Sequence, residues 1–221
     1  MFPLRDTQPS YSRPVVTVLL IVLNILVFLR EFSLDDYSRN AFIAMYGLTP
    51  DRFHVENILT SMFVHGGWMH VLGNMWFLWI FGDNIEDILG HAKYLAFYLL
   101  CGVAAALAQV LIDPFSRVPM VGASGAIAGV MGAYLIKFPR ARILTFAFIF
   151  FFITTFEMPA WLMLIYWFAI QLFSGVGSIG YTQASSGTAF FAHIGGFIAG
   201  MVLIRVMGTR ERYTRRRDLY W

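Results

Sequence analysis

Gly122-Ala123-Ser124-Gly125-Ala126 and Ala192-His193-Ile194-Gly195-Gly196 each open a long apolar run, one with a hydroxyl and the other with an imidazole. The first run continues in small residues through Ala128, Gly129, Gly132 and Ala133. On the second, Gly196 and Gly200 lie at i+3 and i+7 from His193, on one helical face. Glycine faces let two helices press together in a membrane. That contact would bring Nε2 of His193 within reach of Oγ of Ser124. An ionisable group inside a span is costly and marks a functional candidate. A serine and a histidine meeting there suggest a nucleophile and its base.

The composition agrees with a membrane setting. Of 221 residues, 58% are hydrophobic and 13% charged, against about 25% charged in soluble domains. Mean hydropathy is +0.66. No charge interrupts the chain between Arg13 and Arg30, Lys93 and Asp113, Arg117 and Lys137, or Glu157 and Arg205. A bilayer span needs roughly 17–25 apolar residues, so these gaps read as transmembrane helices. The last gap holds two, divided by the Gly- and Ser-rich stretch from Ser174 to Thr188.

Six spans are expected, starting near Pro14, Trp68, Tyr94, Ser124, Pro159 and Ala189. The fold class is an all-α membrane protein. One membrane domain, 14–207, lies between an N-terminal tail, 1–13, and a basic tail, 208–221. No charged start with a cleavage site precedes the first span, which therefore reads as an anchor. Residues 143–156 are all apolar or Thr but short for a span, and fit an interfacial or re-entrant segment. With both termini cytoplasmic, 12 of the 16 Lys and Arg lie on the inner side, as the positive-inside rule requires. Six of those are Arg205, Arg210, Arg212, Arg215, Arg216 and Arg217, placed to meet anionic headgroups. A pI of about 9.1 therefore points to a membrane surface rather than nucleic acid. The lone Cys101 excludes an internal disulfide and a thiolate metal cluster, and reads as a packing residue.

In this topology spans two, four and six all begin on the outer side. His70, Ser124 and His193 then share one depth, where buried polar groups must partner one another. No carboxylate is placed to orient His193, which favours a dyad over a triad. His70 and Asn74, at i and i+4 on span two, can both donate hydrogen bonds. With the backbone N–H of Ser124, they could hold a developing oxyanion. They could equally be a polar pair that stabilises helix contacts. His65 precedes the helix and is assigned to the outer loop. A metal site is disfavoured because no HExxH occurs and no acidic residue shares that layer. No cofactor is called for.

Gly122-Ala123-Ser124-Gly125, Ala192-His193-Ile194-Gly195-Gly196 with Gly200, and His65 through His70 to Asn74 with Glu86 resemble the rhomboid intramembrane serine proteases. The resemblance covers about 63–200. It implies a six-helix rhomboid fold and cleavage of single-pass or multi-pass transmembrane substrates near the outer face of the bilayer. It makes Ser124 the nucleophile, His193 the base, His70 and Asn74 oxyanion-stabilising residues, and Glu86 a structural residue. Pro159-Ala160-Trp161 and Gln171 resemble family positions on span five, the span proposed to gate lateral entry. The implied location is a prokaryotic plasma (inner) membrane. Two departures stand out. Ala128 replaces the aromatic that in many members stacks on the histidine, and the Trp-Arg pair of the first outer loop is absent.

Two other readings remain open. A rhomboid-like binding protein would escort membrane clients without cutting them, and both reacting residues argue against it. A small transporter would carry polar residues through the full membrane depth, whereas here they gather near one face.

Overall fold

The charge-free stretches become helices. In the computed structural model, which describes residues 2–149, 152–178 and 189–209, six of them form the body of the molecule. These are α1 (Val15–Phe32), α4 (Trp68–Leu89), α5 (His91–Ile112), α6 (Ser124–Lys137), α7 (Ala160–Ser178) and α8 (Phe190–Val206). Two short helices, α2 (Asp36–Tyr46) and α3 (Asn57–Thr60), lie in the connection between α1 and α4. α1, α5 and most of α7 are long and apolar enough to cross a membrane, while α6 and α8 are apolar but shorter. α4 carries His70, Asn74, Asp83, Asn84, Glu86 and Asp87, which lowers its hydropathy.

One expectation is corrected. The chain is mostly helical but not all-α. Strands β1 (Phe2–Asp6), β2 (Arg142–Ile149) and β3 (Phe152–Pro159) form an antiparallel sheet in the order β1-β2-β3. The stretch 143–156, expected as an interfacial or re-entrant segment, contributes residues 143–149 to β2 and 152–156 to β3, which pair with each other. Their Ile, Thr and Phe are stiff or bulky side chains that suit a pleated surface better than a helix. Ile143, Thr145 and Ala147 are buried, and the residues between them are not, so one face of β2 packs inward.

The same end of the molecule is tied together by α4. α1 has no side-chain cap of its own, so its first N–H groups need outside acceptors. Glu86 supplies them, accepting from the backbone N–H of Val16 and Thr17 and from Thr17 Oγ1, each at 2.8 Å. It also accepts from Nδ1 of His91 at 2.6 Å. Asp87 accepts from the N–H of Tyr11 and Ser12 at 3.0 Å, and Asp83 from Ser10 Oγ at 2.6 Å. Trp76 donates to the carbonyl of Pro3 at 2.7 Å, and Tyr134 Oη donates to Asp6 at 2.5 Å. Lys93 reaches the carbonyl of Met207 at 3.2 Å, which places the end of α8 here as well.

At the opposite end, Leu48 and Met120 form a two-way backbone bridge of 2.8 and 2.9 Å. Asn57 Nδ2 donates to the carbonyls of Gly47, at 2.8 Å, and Met45, at 3.1 Å. These bonds anchor the connection between α1 and α4 without the Trp-Arg pair. The starts of α4, α6 and α8 all lie at this end, because successive helices alternate in direction. Arg210 and the arginines after it lie outside the described residues, as does most of the turn between α7 and α8.

The centre is built on α6 against α8. A Cβ added to Gly196 or Gly200 would fall on the backbone carbonyl of Gly125 or Gly129, and one added to Gly132 on the carbonyl of Phe197. The two helices thus touch through their main chains, the contact expected from the glycine spacing.

Candidate active site

Ser124 stands first in α6, directly after a sharp turn. Gly122 adopts φ +116°, a conformation that favours glycine, and its N–H donates to the carbonyl of Ser61 at 2.8 Å. The turn presents Oγ of Ser124 and the first backbone N–H groups of α6, which have no acceptor within their own helix. His193 stands in the first turn of α8. That helix start is steadied from α5, where Gln109 Oε1 accepts from the N–H of Ala192 at 3.3 Å.

The α6–α8 contact puts the two side chains together. Ser124 Oγ lies 2.8 Å from His193 Nε2. On the far side of the ring, Nδ1 of His193 donates to Oε1 of Gln171, on α7, at 2.7 Å. Trp167, one turn before Gln171, lies over the same imidazole with ring centroids 5.8 Å apart and planes 39° from parallel. The group behind the His193 imidazole is thus an amide.

His70 and Asn74 face the Gly122 turn from α4. A Cβ at Gly122 would lie 2.6 Å from His70 Nε2 and 3.3 Å from Asn74 Nδ2. The missing side chain therefore leaves room beside both donors, next to Ser124. His70, Asn74, Gly122, Ser124 and His193 line one cavity of about 250 Å³, wide enough for several waters.

His65 lies in the connection before α4, but its side chain is fully buried, and Asn74 Nδ2 donates to its Nε2 at 2.9 Å. Its own Nδ1 donates to the carbonyl of Phe63 at 3.2 Å, and its backbone N–H to Glu31 at 3.1 Å. Burial, aided by the neighbouring His70, pushes the His65 imidazole down to about 4. It is neutral at physiological pH and accepts steadily from Asn74. Sequence reasoning missed this role, and missed the bonds of Gln171, Trp167 and Gln109, because each depends on how neighbouring helices are rotated. The available signals were the resemblance of Gln171 to a family position and the i, i+4 spacing that puts Trp167 and Gln171 on one helical face. Among the described residues, no three His, Cys, Asp or Glu side chains group as metal ligands would.

With this geometry in place, comparison with known proteins is informative. The family description "Rhomboid domain" matches residues 52–210. The chain is 34% identical to "Rhomboid protein 1, mitochondrial" of Saccharomyces cerevisiae over 42% of its own length and 28% of that protein's. It is 31% identical to "Rhomboid protease GluP" of Bacillus subtilis, over 56% of this chain and 25% of the relative. It is 30% identical to "RHOMBOID-like protein 5" of Arabidopsis thaliana, over 71% of this chain and 45% of the relative. The chain thus spans between a quarter and a half of the length of these curated relatives. They include a bacterial, a mitochondrial and a plant protein, so the expected prokaryotic plasma membrane draws no support from them.

Proposed function

This chain belongs to the rhomboid family, and on that premise we propose that it is an intramembrane serine endopeptidase cleaving transmembrane proteins near the outer face of the bilayer. The observation that carries the reading is the 2.8 Å approach of Ser124 Oγ to His193 Nε2 beside a cavity wide enough for several waters. His193 takes the hydroxyl proton as Oγ attacks the scissile carbonyl carbon. The carbonyl oxygen becomes an oxyanion, held by the N–H of Ser124 with Asn74 and His70. His193 returns the proton to the leaving amine, and an acyl ester on Ser124 remains. Water then enters the cavity, gives a proton to His193 and attacks the ester carbonyl. The second product is a carboxylic acid, and Ser124 recovers its proton. A substrate helix must unwind locally to offer its amide, since helical carbonyls are already hydrogen-bonded.

In this reading all six long helices cross the bilayer, with the sheet and both termini on the inner side. The rhomboid domain is 14–207, flanked by tails 1–13 and 208–221. The partners are single-pass or multi-pass membrane substrates and the surrounding lipid.

The test is a purified full chain in lipid vesicles with a fluorescent fluorophosphonate and a single-pass substrate. Labelling and cleavage by the wild type, both lost in Ser124→Ala, are the expected results. His193→Ala should lose nearly all of both, because a serine hydroxyl is a poor nucleophile without its base. Cleavage that persists in purified Ser124→Ala would remove Ser124 from the mechanism.

A further inference from the structure

Behind Nδ1, His193 is contacted from α7. Ala128, one turn beyond Ser124 on α6, is fully buried and offers the imidazole no aromatic face. The ring is contacted instead from α7, by the indole of Trp167 and the amide of Gln171.

A neutral imidazole has two tautomers, and only the one with its proton on Nδ1 leaves Nε2 able to accept from Ser124. The amide oxygen of Gln171 accepts and cannot donate, so its bond to Nδ1 selects that tautomer. The side chain is buried, 9% exposed, which shields the bond from competing water. Trp167 covers the ring and limits its rotation about χ2. The ionisable side chain sharing the cavity with His193 is His70, from α4. The other elements packed around the ring present Ser124 from α6 and Gln171 and Trp167 from α7, while Gln109 of α5 bonds only the backbone.

We propose that Gln171 and Trp167 are positioning residues, which fix the tautomer and the orientation of His193 and make α7 the helix that readies the base. The inference rests on the Ser124–His193 reading above. It adds an uncharged third member behind the histidine, in the place where a carboxylate would otherwise stabilise the imidazolium.

Three variants of the full chain test it in lipid vesicles, with folding checked by melting temperature. Gln171→Leu should lower kcat roughly 10- to 100-fold, part of the 100- to 10,000-fold that a general base supplies, with KM little changed. Trp167→Leu should lower kcat less, with the same split. Gln171→Glu is near-isosteric and keeps an acceptor for Nδ1–H. It should retain activity, and its carboxylate should favour the imidazolium. The acid limb of its pH–rate profile should therefore move to higher pH. A wild-type kcat and pH profile in Gln171→Leu would overturn the proposal, as would an unmoved acid limb in Gln171→Glu. Should Gln171→Leu fail to fold, the Gln171→Glu profile decides alone. If the wild type takes up no fluorophosphonate, both this inference and the proposed function fall. If it is labelled and cleaves while the α7 variants match it, only this inference falls.

Discussion

Ser124 Oγ and His193 Nε2 lie 2.8 Å apart although 69 residues separate them in the chain. Gly125, Gly129 and Gly132 on α6 and Gly196 and Gly200 on α8 let the two helices that carry them meet at the main chain.

Gly200 therefore controls the site from a distance. Gly200→Ala would force a methyl group into the backbone of Gly129, where no side chain can yield. Overpacking of this kind typically costs about 1–3 kcal/mol. The expected outcome is a lower melting temperature together with slower fluorophosphonate labelling, since α8 must move outward and take His193 with it. Unchanged labelling kinetics would show that the helix contact does not set the Ser–His distance.

Asn74 and His65 should behave as a pair. In the proposed mechanism Asn74→Ala removes one oxyanion donor, a loss of about 2.7–4 kcal/mol, or roughly 100- to 1,000-fold in kcat. The N–H of Ser124 remains, so residual activity is expected. His65→Ala leaves Asn74 in place but without its acceptor, and should give a smaller fall in kcat. Adding it to Asn74→Ala should cost less than the sum of the two single changes. Fully additive effects on kcat would mean that His65 does not act through Asn74.

Asp6 predicts how stability depends on pH. Burial is the main cause that raises its carboxyl to about 7 from an ordinary 3.8; the bond from Tyr134 opposes this and Asp83 reinforces it. The folded chain then binds a proton more tightly than the unfolded chain. This contribution is fully present below pH 4 and fades as pH rises through 7. Between pH 5 and 8 the melting temperature of the wild type should fall more steeply than that of Asp6→Asn. Parallel curves for the two proteins would show that Asp6 is not the source.

The six-span topology is checked by reporters. Fusions within Asp113–Arg117 and after Arg210 should report opposite sides of the membrane. Agreement between them would put an odd number of crossings between the two points out of the question and force a different set of spans.

α1, α5, α6, α7 and α8 were legible because each largely fills a gap between charges, and the Ser, His and Asn positions because polar groups stand out in apolar runs. The sheet was not. Residues 143–156 lack the polar–apolar alternation that marks a strand with one wet face, and one of the two strands paired with β2 sits at the other end of the sequence. Glu86 could be singled out by resemblance, yet its work as the missing cap of α1 is visible only once α1 and α4 lie side by side. Gln171 and His65 were hidden for a related reason. Composition places a side chain on a helix, but the rotation of that helix against its neighbours decides what the side chain meets.

The sheet also bears on how the chain is made. Phe2 pairs with Phe146, 144 residues later, so β1 is synthesised long before the strand it needs. At about 5–20 residues per second, the wait is roughly 7–30 s. Through that interval four of the long helices are completed while β1 has no partner in its own sheet. Closing so long a loop adds little entropy cost over a shorter one, so the delay is kinetic. β1 can close onto the end of the molecule that holds Glu86 and the start of α1 only after the strand to which it pairs has emerged.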